Sequence, residues 1–94
     1  MDRERIKKIL AEEQYPEFML EKTTDKIEAF SSVVQKAFEE WCNNKQQPNI
    51  VVEGFAFTDL VTKWGMKPIG AFITLDWLLR EPENAKNALI KGIK

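Results

Sequence analysis

The chain has 94 residues, 44% of them hydrophobic and 31% charged, with a net charge of −1. That supply suits one domain with a single modest core, and it argues against bulk attraction to nucleic acid or to anionic membranes. Histidine is absent and Cys42 is the only cysteine, which excludes an intramolecular disulfide and a structural zinc site, and removes the commonest general base.

The start, MDRERIKKIL, is charged and lacks the long apolar stretch of a secretory signal. No run of roughly 20 apolar residues offers a membrane span. With a single cysteine, the expected compartment is a reducing cytoplasm. Asp2 is placed to cap a first helix over Arg3–Glu13, whose apolar stripe is Ile6, Ile9 and Leu10. Arg3, Arg5, Lys7 and Lys8 surround that stripe, and the expectation for them is a solvated face rather than a phosphate-contacting arm.

Tyr15-Pro16 ends this helix, and Glu17 to Lys22 has room for one further short turn. Phe18, Met19 and Leu20 form an apolar trio there, expected mainly in the core. Phe18 or Leu20 is the expected anchor, with Met19 and Tyr15 facing outward. Tyr15, Phe18 and Met19 are accordingly the candidate partner-contacting residues.

Asp25 and Glu28 read as a capping-box variant that opens a long helix over about 25–44. Ile27, Phe30, Val34, Ala37, Phe38 and Trp41 recur at threes and fours along it. The polar run 43–48 ends it as a loop. Ile50, Val51 and Val52 are β-branched and favour extended or irregular backbone, with a helix beginning there as the alternative. Phe57, Leu60, Val61 and Trp64 then mark one face of a short helix, and Gly65 suits a residue of positive φ just past its end.

Pro68 opens the helix around which the rest is expected to pack, and Pro82 stops it near Arg80. Ile69, Ala71, Phe72, Ile73, Leu75, Trp77, Leu78 and Leu79 point in nearly every direction from its axis, the pattern of a core helix. Its one polar strip carries Asp76 and Arg80, four residues apart. They read as an ion pair at the edge of the core, and secondarily as a functional carboxylate held by a cation. Pro82 opens a last helix, with Gly92 as its stop.

The expected fold is all-α: a compact orthogonal bundle of five or six short helices around the helix 68–80. No phosphate-binding loop, dinucleotide fingerprint or calcium loop is present, and no cofactor or metal is expected. The stretch 57–80 has the outline of a helix-turn-helix, but its second helix offers Ile69, Gly70, Phe72 and Ile73 where base edges need polar side chains. The function these observations favour is a non-enzymatic protein-interaction module, an adaptor, inhibitor or self-associating domain. Its expected partner is a protein or a second copy, not nucleic acid and not a membrane. A DNA-binding regulator using 57–80 is the alternative.

Overall fold

The computed structural model describes residues 2–44 and 46–92. In chain order these form α1 (Arg3–Glu12), a 3-10 turn (Glu17–Met19), α2 (Leu20–Glu28), α3 (Ser32–Asn44), β1 (Val51–Val52), β2 (Phe55–Ala56), α4 (Phe57–Thr62), α5 (Pro68–Arg80) and α6 (Pro82–Gly92). The architecture is the expected all-α bundle, with one small hairpin added.

Helix α5 lies at the centre. Ile69, Ala71, Phe72, Leu75 and Leu78 are fully buried along it. The Phe72 ring meets Phe57 of α4 at 4.6 Å, Phe38 of α3 at 5.4 Å and Trp41 of α3 at 5.9 Å between centroids. Edge-to-face and tilted ring pairs of this kind add about 0.5–1.5 kcal/mol each beyond the burial of their area. The burial of α5 is not complete, however. Gly70, Ile73 and Thr74 are only partly buried, and Trp77 and Leu79 project outward near its C-terminal end, so the expectation of a helix enclosed on all sides is corrected: one side of α5 is open.

The helix expected over 25–44 is two helices. α2 begins five residues before Asp25, and the chain breaks at 29–31. Asp25 therefore caps nothing; it lies on the outer face of α2 and accepts from Arg3 Nη1 at 3.0 Å. The apolar period ran through the break because Phe30 stays buried inside it. What breaks the helix lies far away in sequence: Ser31 N–H donates to Asp76, and the Ala29 carbonyl accepts from Arg80.

Two turns use positive φ at residues other than glycine. Gln14, at φ 65°, ends α1: its N–H bonds the Ala11 carbonyl, and the Tyr15 N–H bonds the Leu10 carbonyl at 3.1 Å. That is a Schellman closure, which characteristically lays the residue after the turn back onto the helix. Glu53 and Gly54, at φ 51° and 84°, form a two-residue turn between β1 and β2, with Val52 opposite Phe55. Two positive φ values match the right-handed twist of a hairpin. The extended stretch expected over 50–52 is thus the first strand of this hairpin.

Candidate functional site

The basic face of α1 is occupied by α2. Arg3 bonds Glu21 at 2.7 Å, Asp25 at 3.0 Å and also Glu28, while Lys7 pairs with Glu21. Bonds to Asp25, then Glu21, hold the Arg3 guanidinium well above its usual range. Lys7, then Arg3, draws the Glu21 carboxyl below its ordinary value. Arg5 donates to Asn43 at 2.7 Å. Arg3 and Lys7 clasp α1 to α2, and Arg5 joins α1 to the end of α3 by a hydrogen bond rather than an ion pair.

Tyr15, Phe18 and Met19 do not behave as a unit. The Schellman closure turns Tyr15 inward, where it packs partly buried against the core, and burial pushes its phenol above the ordinary value. The expectation that Tyr15 faces outward is therefore corrected. Leu20 is the residue of the trio that packs on the core. Phe18, on the 3-10 turn, is 82% exposed, and Met19 is 38% exposed. Core placement of Phe18 fails because Pro16, extended at ψ 145°, and the one-turn helix after it carry the chain outside the bundle before α2 begins.

Asp76 and Arg80 form the ion pair their spacing suggested, with Arg80 Nε 2.8 Å from Asp76 Oδ2. The pair does more than join two residues of one helix. Asp76, 8% exposed, accepts the Ser31 N–H at 2.9 Å through Oδ1, and Arg80 donates to the Ala29 carbonyl. Ser31 is the residue whose carbonyl takes the first bond of α3, from Gln35 N–H. The pair thus ties down the turn between the helices: it holds one carbonyl, that of Ala29 just past α2, and one N–H, that of Ser31 just before α3. Both carboxylate oxygens are engaged, so Asp76 has a complete structural role.

Beside this clasp the α2–α3 turn and α5 stand apart. Between them opens a groove of about 370 Å³. Ala29 and Phe30 form one wall, Ile73 and Trp77 the other, and Lys26 and Arg80 stand at its rim. Phe30 ties this wall to the core through an edge-on contact with Phe38 at 6.1 Å. Trp77 is held by its own indole N–H, which donates to Glu81 at 3.1 Å. The result is a rigid apolar trough with a cationic edge. Sequence reasoning found Asp76 and Arg80 but missed Lys26, Ala29 and Trp77. The available signal was Trp77 itself, a large ring on the same side of α5 as Ile73 and Arg80.

A second hollow, about 180 Å³, lies between α3 and the segment before β1, beside Val33 and Ile50. It is shallower and has no comparable pair of walls. The helix-turn-helix outline is present in α4, Gly65 at φ 70° and α5. The outer side of α5 presents Gly70, Ile73, Thr74 and Trp77, without a donor or acceptor array for base edges; the Thr74 hydroxyl already donates to the Gly70 carbonyl at 2.8 Å. No group of three or more acidic or cysteine side chains among the described residues is arranged to hold a metal ion. No helix among them is long and apolar enough to cross a membrane.

No family model matches the chain, and neither a curated protein nor a solved structure does.

Proposed function

We propose that the chain is a small non-enzymatic protein-interaction module that takes an apolar side chain of its partner in the groove between the α2–α3 turn and α5. The observation that carries this reading is the groove, with Phe30, Ile73 and Trp77 in its walls and two cations at its rim. Pockets that anchor partners are mostly apolar with a few polar groups placed to orient the ligand. Aromatic and arginine side chains dominate binding energy at such sites. The saturated bonding of Asp76 supports a structural rather than a catalytic carboxylate. The apolar outer side of α5 favours protein over DNA as the partner. The lone buried cysteine favours the cytoplasm as the place of work.

Calorimetric titration with short acidic peptides carrying a central Phe, Leu or Ala tests the reading. Binding is expected with Phe and Leu and lost with Ala. Filling the groove by Ala29→Trp is expected to abolish it with the circular dichroism spectrum unchanged. Equal binding of all three peptides, or binding that survives Ala29→Trp, contradicts the reading.

A further inference from the structure

We infer that the groove receives Phe18 of a second copy of this chain, so that two copies associate through reciprocal plug-and-groove contacts. The inference rests on the reading of the groove as an anchor site and names its occupant. Phe18, at 82% exposure, is the most exposed of the large hydrophobic side chains among the described residues. Burying such a ring is the ordinary driving force of association. The groove, about 370 Å³, has room for it, since a benzene ring fits a cavity of roughly 150 Å³.

The placement of the two features supports a symmetric pair. Phe18 lies two residues before α2, and the groove residues Lys26 and Ala29 lie at its far end. The nine residues of α2 separate them by roughly 14 Å at 1.5 Å per residue, so a plug cannot reach its own groove. Lys22, Lys26 and Ala29 fall at i, i+4 and i+7, and all three are exposed; they mark the solvent face of α2. A two-fold arrangement brings the plug end of each copy to the groove end of the other. Each Phe18 then meets the groove of the other copy, and the assembly closes at two.

Charge complements shape. The plug lies in the run Glu13-Gln14-Tyr15-Pro16-Glu17-Phe18-Met19, which holds two carboxylates and no cation. The groove lining carries two cations, Lys26 and Arg80, against one carboxylate, Asp76, which pairs with Arg80; Lys26 is left as the uncompensated charge of the lining. Glu17 next to an inserted Phe18 faces these cations, which sets the direction of docking.

Sedimentation equilibrium of the full chain from micromolar to millimolar concentration, with matching circular dichroism, tests the proposal. A reversible monomer–dimer equilibrium is expected. Phe18→Ala and Ala29→Trp are each expected to raise its Kd about tenfold or more with helicity unchanged. Mixing the two variants restores one of the two contacts, the intact plug of one in the intact groove of the other, and is expected to recover part of the association. Glu17→Lys and Lys26→Glu are each expected to weaken the dimer, and their mixture to recover it. A wild-type chain that stays monomeric at millimolar concentration overturns the proposal, as does a dimer indifferent to Phe18→Ala or a mixture that does not recover. A monomeric chain that still binds Phe-centred peptides overturns the self-pairing alone; one that binds none of them overturns the groove reading as well.

Discussion

Replacing Asp76 tests the clasp that shapes the groove. In Asp76→Ala the Ser31 N–H at the start of α3 loses its acceptor and Arg80 loses its counter-ion. A hydrogen bond to a charged group contributes about 1.5–3 kcal/mol. The Arg80 side chain is 52% exposed, so screening holds the ion pair itself to roughly 0–1 kcal/mol. Asp76→Ala is therefore expected to cost about 2–4 kcal/mol, a large part of the roughly 5–14 kcal/mol typical of a chain this size. Asp76→Asn keeps an acceptor for Ser31 and is expected to cost about 1–2 kcal/mol. Arg80→Ala loses the ion pair and the bond to the Ala29 carbonyl and is expected to cost about 1–2 kcal/mol. Urea denaturation reads the three values as shifts in midpoint at constant slope. Amide exchange reads the cause directly: the Ser31 N–H should lose protection in Asp76→Ala and keep it in Arg80→Ala. A cost below about 0.5 kcal/mol for Asp76→Ala, or one no greater than that of Arg80→Ala, refutes the argument. It would return Asp76 to the pool of functional carboxylates.

Three further outcomes are expected. Thr24 is fully buried and its hydroxyl has no hydrogen-bond partner among the described residues, so Thr24→Val should raise stability by about 1–2 kcal/mol in the same urea assay. Glu21 has a carboxyl pKa below its ordinary 4.5 because of Lys7 and Arg3; its stabilising contribution is complete above 4.5 and is lost as pH falls through the lower folded value. The difference in melting temperature between wild type and Glu21→Gln should accordingly shrink as the solution is acidified below 4.5. Anisotropy titration with random-sequence and genomic duplexes should give no sub-micromolar binding at physiological salt, since a net charge of −1 supplies little counterion release.

The parts of the fold legible in the sequence are those set by neighbouring residues. Pro68 and Pro82 bound α5, and Asp2 caps α1 by accepting the Arg5 N–H at 2.8 Å. Phe72 and Leu75 lie in the core, as an all-round apolar helix requires. The break at 29–31 was not legible, because the groups that hold it are 45 and 51 residues away. The end of α1 was legible to within a residue from Tyr15-Pro16, but its closure at Gln14 was not, since positive φ is expected of glycine and Gln gives no such cue. Of the site, the spacing of Asp76 and Arg80 disclosed the pair but not the turn it grips. The groove needed the packing of α2 against α5, which no local pattern encodes.

The groove's role is tested most directly by labelling the three tryptophans with 5-fluorotryptophan and following fluorine resonances as a Phe-centred acidic peptide is added. Trp41 is buried among Phe38 and Phe72, Trp64 rests against Phe55, and Trp77 lines the groove. The account predicts a saturable shift of the Trp77 resonance with Trp41 and Trp64 unmoved. A shift of Trp64 or Trp41 with Trp77 unmoved, or no shift at all, would contradict it.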